Sequence, residues 1–351
     1  MPTQERPTRL DGLDAARGLA VVSMLVAHLS PVGGPANVTE YLTAPLFAVV
    51  IGVAVGLVLQ ERRPRPGTFL RDNALRGLVL VALGIGLQEL YPQIVVVLPY
   101  LGLLVIVLAP VALLLHRMPV LTLGVAAGLA VVSPVVMERA RDWLAANPDT
   151  PAMLADLVTW LAAGSSYRVV SLLAMALGGL ALATVLRRAG QLPAAWVVGG
   201  VLMAASLAAY LLGADSADGS AAYSGTTAEV VGATLLACGS VVLSFAWLQA
   251  LRDLGAGRVA QPLLATGRLA LTAYTLQILW LALLAALRDN APDDEWWILG
   301  SSIVVVVGAC WALDRWWGTG PLEWVVHRLR APVHGSPGRA PAVSGRSGAS
   351  P

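Results

Sequence analysis

Ten times along its length this sequence stays apolar for about 20 residues, long enough as a helix to cross about 30 Å of hydrocarbon. The runs lie near residues 11–31, 41–60, 74–91, 96–116, 118–137, 167–187, 192–213, 227–250, 263–287 and 296–316. Only 13% of residues are charged and 57% are hydrophobic, against about 25% charged in an ordinary soluble domain. Too few charges remain to cover a water-facing surface, which excludes a cytosolic globular enzyme. The expected fold is all-α: a polytopic membrane protein of about ten transmembrane helices, with residues 1–330 as one membrane domain and 331–351 as a disordered cytoplasmic tail poor in large apolar residues.

All 23 positive charges are arginines, so lysine chemistry, including Schiff bases and a Walker P-loop, is ruled out. Arg6, Arg9, Arg62, Arg63, Arg65, Arg71, Arg117, Arg187, Arg188, Arg252, Arg258, Arg315, Arg328, Arg330, Arg339 and Arg346 fall on one side of the spans. The opposite loops hold Arg139, Arg141, Arg168 and Arg288, mixed with acidic residues. By the positive-inside rule both termini are cytoplasmic. Asp11, Asp14 and Arg17 interrupt the first run, which argues against a cleavable signal peptide. Cys238 and Cys310 sit inside apolar runs, so neither a structural disulfide nor a metal site is expected. A net charge of +2 gives no sign of nucleic-acid binding. Within the longest outer connection, 138–166, apolar residues recur at helical spacing over 151–163, which suits a helix lying in the interface. Trp143, Trp160, Trp296, Trp297, Trp316 and Trp317 fall at expected membrane interfaces, as an aromatic belt would.

The stretch RLDGLDAARGLAVVSMLVAHLS, residues 9–30, carries Asp14, Arg17 and His28 inside an apolar span. Ionisable groups in hydrocarbon cost several kcal/mol unless they pair or line a wet cavity, so they mark function by default. Asp14 and Arg17 are three residues apart and can pair. Arg17 and His28 are eleven apart, about three turns plus 20°, so they share one face at an axial separation of about 16 Å. A cation low on the face can meet an anionic donor, and an imidazole above it can accept a proton.

This stretch resembles the first helix of bacterial transmembrane acyltransferases, a superfamily with an Arg-(ten residues)-His signature that Arg17 and His28 fit. It includes the acyltransferase-3 O-acetylases and relatives of heparan-α-glucosaminide N-acetyltransferase. APLFAVVIGVAVGLVL (44–59, with Phe47 and Gly52), RDNALRGLVLVALGIGL (71–87), TGRLALTAYTLQILW (266–280) and GTGPLEWVVHRL (318–329) resemble the second branch, YeiB-like proteins in particular. The resemblance implies transfer of an acyl group, typically acetyl, from cytoplasmic acyl-CoA to a hydroxyl or amine of an extracytoplasmic glycan or glycolipid. It implies acyl-CoA as co-substrate, no metal, and residence in the cell membrane among lipid; a homodimer is compatible with it.

On this reading His28, Arg17 and Asp14 are the catalytic candidates. His28 either deprotonates the acceptor or carries the acyl group itself. Arg71 and Arg76, at the inner end of the third span, are candidates for the coenzyme phosphates, because guanidinium groups offer bidentate donors and stay charged. Arg268, Tyr274 and Gln277 in the ninth span, and Tyr100 in the fourth, are candidates to line the donor's path. Glu323 either braces the coenzyme entrance or docks the tail. The rival reading is a ten-span transporter or flippase without covalent chemistry, for which two related halves would be expected; no internal repeat is visible.

Overall fold

The structure is a computed structural model that describes residues 8–31, 39–91, 93–188, 193–214, 219–289 and 295–330. Every described element is helical, as hydrocarbon demands: a backbone without water must satisfy its own N–H and C=O groups. The order is α1 Thr8–Leu29, α2 Thr43–Glu61, α3 Pro66–Leu90, α4 Leu98–Leu115, α5 Pro119–Ala146, α6 Ala152–Val158, α7 Val169–Arg188, α8 Pro193–Ala214, α9 Thr227–Asp253, α10 Gln261–Arg268, α11 Ala270–Leu287, α12 Trp296–Trp316 and α13 Pro321–Arg330. Ten of these are long and apolar enough to cross a membrane. The expected ten-span, all-helical membrane fold is therefore what the chain adopts. The tail at 331–351 and most of the 31–40 loop lie outside the described residues.

Proline opens α3, α4, α5 and α10 within their first two positions, where a missing N–H costs nothing. Pro110 and Pro134 sit inside α4 and α5 without ending them, a tolerance usual for spanning helices. α5 runs nine residues past its expected end at 137, which lengthens it to 28 residues. The outer connection holds α6 followed by a π-helical turn at Thr159–Ala163, close to the expected interfacial helix. Trp160 departs from the belt expectation: its ring packs on Tyr100, 6.5 Å between centroids.

α2 and α7 are the most enclosed spans, and α3, α5, α8 and α12 show most of their surface to lipid. α2 and α7 cross at small residues, where a Cβ on Gly52 would strike the Ala176 carbonyl and one on Gly179 the Val49 carbonyl. Such sites let membrane helices approach backbone to backbone. Successive spans run antiparallel, so the start of α1, the end of α9, the start of α11, the end of α12 and α13 meet at one face, the near face.

The expected ninth span, 263–287, is corrected by the structure. It breaks at Leu269 into the short α10 and the spanning α11. The break is made from a distance. Glu323 of α13 accepts hydrogen bonds from Leu271 N (2.9 Å), Thr272 N (3.0 Å) and Thr272 Oγ1 (2.5 Å). Its carboxylate thereby satisfies orphan donors at the start of α11 and meets the positive end of that helix's dipole. Glu323 caps a helix, and the same bonds dock α13 onto the start of α11.

Candidate functional site

The near-face end of α1 is held by carboxylate–arginine pairs. Asp11 pairs with Arg252 at the end of α9. Asp14, 7% exposed, accepts from Arg17 Nη1 at 2.9 Å, the pairing expected from their three-residue spacing. Arg268 spends its fork on Asp314, through Nε at 2.9 Å and through Nη2. Burial disfavours the Arg268 charge, but the hydrogen bonds and the charge of Asp314 outweigh it and raise its pKa above the ordinary value. α10 presses directly on α1. A Cβ on Gly267 would strike the Asp14 carbonyl, and one on Gly18 the Leu263 carbonyl.

These contacts fix where the Arg17–His28 face points. Taking Gly18, which faces α10, as the origin, Gly12 against Phe245 of α9 and Ser23 against Thr43 of α2 lie at about 120–140°. Arg17 and His28 lie at about 260–280° on the same wheel. That sector is left for α11 and α12, which also pack on α1. Both side chains are half-buried, and His28 has no hydrogen-bond partner among the described residues.

Two of the aromatic candidates link the halves of the bundle. The connection after α3 folds back inward: Gln88 Nε2 donates to Ile94 O (2.9 Å), and Val96 N donates to Gln88 Oε1 (2.8 Å). Val97 N then donates to the Tyr274 hydroxyl at 3.0 Å. Tyr274 lies only about 6 Å along α11 from its near-face start. A connection belonging to the far side therefore reaches deep into the bundle. Tyr100 stacks edge-on to Tyr167 at 5.5 Å, which meets Tyr223 at 5.6 Å.

Gln277, one turn beyond Tyr274, is fully buried, and neither its Oε1 nor its Nε2 has a partner among the described residues. Ser302 Oγ on α12 and Trp280 Nε1 share that condition. Arg71, its side chain 52% exposed, bonds its neighbour Asp72. Arg76 lies on the same near-face stretch of α3, half-buried and with a partner of its own.

Sequence reasoning passed over one far-side cluster. Arg168, 2% exposed, donates to Gly164 O (2.9 Å) and Tyr223 O (3.3 Å) and stands 3.8 Å from Glu229. Glu229 accepts from Gly225 N at 2.7 Å and Tyr223 N at 3.3 Å. Burial lowers the Arg168 pKa, with Glu229 opposing, and pushes the Tyr223 phenol up to about 12. The signal available was Thr226-x-x-Glu229, a capping-box spelling at the head of α9. Thr226 Oγ1 does accept from Glu229 N at 3.1 Å, while the glutamate reaches back to the loop.

One cavity of about 730 Å3 opens between α5, α8 and α9, and another of about 380 Å3 between α1, α8, α9 and α10. Neither is lined by Arg17 or His28. Among the described residues no cluster of His, Cys, Asp and Glu could hold a metal.

No curated protein matches the chain. A family model described as an acyltransferase domain, Acyl_transf_3, matches residues 10–315. That span takes in the arginine–histidine face of α1 and the whole bundle as far as the end of α12, so this multi-pass membrane protein belongs to the acyltransferase-3 family.

Proposed function

We propose that this acyltransferase takes an acyl group, acetyl in the first instance, from acyl-CoA at a cytoplasmic near face and delivers it to a hydroxyl or amine of a glycan or glycolipid on the far side. The observation that carries the reading is the single face of α1 on which Arg17 stands low, paired to Asp14, and His28 stands high without a partner among the described residues. The arginine excess at the near-face loops supports a cytoplasmic assignment. Arg71 and Arg76 offer guanidinium groups to the coenzyme phosphates at that face. Arg268 braces the entrance through Asp314, and Tyr274 and Gln277 border the donor's path.

In the reaction the thioester C–S bond breaks and a C–O or C–N bond forms. His28 takes the proton of the acceptor and returns it to the departing thiolate, or holds the acyl group between two such half-steps. The two C-terminal segments that resemble YeiB-like proteins interlock, Glu323 of one capping the helix begun by the other. Their resemblance to YeiB-like segments in sequence is what supports that branch as the finer assignment.

The test uses the purified protein and a His28→Ala variant. Both are expected to gain thermal stability from acetyl-CoA, and only the parent to release free CoA with sugar or lipid-linked acceptors. If neither protein responds to any acyl-CoA, the donor assignment is wrong.

A further inference from the structure

Buried polar groups in proteins are almost always hydrogen-bonded, and inside a bilayer an unpaired one is costlier still. α11 and α12 break this rule three times. Gln277 and Ser302 are fully buried, and Gln277 Oε1, Gln277 Nε2, Trp280 Nε1 and Ser302 Oγ have no partner among the described residues. A leucine or methionine would fill the Gln277 site without that cost.

The three groups lie in one slab of the membrane. Gln277 and Trp280 are about 10 and 15 Å along α11 from Ala270, and Ser302 is about 18 Å along α12 from Asp314. Arg268 joins those two reference points in one near-face layer. On α1, which α10 ties to the same layer at Asp14, Arg17 stands about 4–5 Å and His28 about 21 Å from Asp14. The unpaired groups therefore fall between Arg17 and His28 in depth, on helices that pack on α1, in the sector of its wheel that α2, α9 and α10 leave to them.

We propose that Gln277, with Ser302 and the indole N–H of Trp280, is a hydrogen-bonding seat for the amide-bearing arm of a pantetheine thioester, making the enzyme selective for such donors over thioesters without amides. This rests on the function proposed above. A glutamine side chain presents one carbonyl and two N–H donors, the complement of a secondary amide read from either edge. A pantetheine arm carries two such amides between its phosphates and its sulfur, and a bare alkyl chain carries none. The order phosphate, amide, thioester matches the order Arg17, Gln277, His28 along the bundle.

The test compares the intact purified protein with Gln277→Leu, using acetyl-CoA and the amide-free donor S-acetyl-2-mercaptoethanol. The variant is expected to melt higher than the parent without ligand, because an unpaired amide has been removed. Its preference for acetyl-CoA over the amide-free donor, as a ratio of kcat/KM values, is expected to fall at least about tenfold, with a smaller fall for Ser302→Ala. A variant that melts lower while keeping the parent's preference would overturn the seat, since the amide would then be structural. Failure of the parent itself to bind or turn over acetyl-CoA would remove the donor assignment instead, and shows in the parent alone.

Discussion

Two layers of this bundle treat polar groups in opposite ways. At the near face Asp11, Asp14, Arg268 and Glu323 each find a partner on a neighbouring helix or on the next turn. Some 10–20 Å deeper, by helix rise, His28, Gln277 and Ser302 find none among the described residues. The saturated layer is a frame that locks α1, α9, α10, α11, α12 and α13 together. The unsaturated layer holds polar groups that the fold does not need, and a membrane keeps such groups for transport or chemistry.

The contrast breaks most visibly at His28. His28→Ala is expected to lower acyl transfer by about 10²–10⁴-fold, the usual weight of a general base, while the melting temperature stays close to the parent's. A variant that unfolds would move His28 into the frame. Arg268→Ala should do the reverse. It strands Asp314 and is expected to cost about 2–3 kcal/mol, below the 3–5 kcal/mol of a fully buried pair because both side chains are partly exposed. The check is a melt of the ligand-free protein, and Asp314→Asn on top of Arg268→Ala should recover part of the loss. Glu323→Ala removes a helix cap, with an expected cost of about 1 kcal/mol and a new susceptibility to proteolysis near Leu269. Arg71→Ala should be the mildest, within about 0.5 kcal/mol in stability as an exposed residue. Its expected effect is a higher KM for acetyl-CoA, and the gap between variant and parent should narrow as salt is added to both.

The frame and the open layer were not equally legible. Ten spans, the Asp14–Arg17 pair and the common face of Arg17 and His28 follow from run length and helical period, which are local properties. The break at Leu269 does not. Its cause, Glu323, lies 51 residues beyond Thr272 in sequence, and past Gly267 and Arg268 the run resumes its apolar character from Leu269 onward. The grip of Asp314 on Arg268 crosses 46 residues, so a residue read as lining the donor's path emerges with its fork committed to a carboxylate. Tyr274 reads as one more polar residue in a span until Val97, 177 residues away, is seen against its hydroxyl. That Gln277 lacks a partner depends on every helix around it, and no spacing rule reports that.

The two layers also divide the work of crossing the membrane. The saturated end fixes the depth and rotation of α1, and the inward fold of the connection after α3 onto Tyr274 draws far-side backbone toward the same level. On the function proposed here, a donor seated along α1 needs to reach only His28, and an acceptor needs to descend only that far. α11 and α12 both pack on α1.

The central claim is that the α1 face carries the acyl group from one compartment to the other through His28. Sealed vesicles containing the protein in known orientation test it, with labelled acetyl-CoA supplied only at the near face and a saccharide acceptor only at the far face. The account predicts labelled acceptor and free CoA on opposite sides for the parent, and neither above background for His28→Ala. Label delivered by His28→Ala at the parent's rate, or label confined to the donor's side, would contradict it.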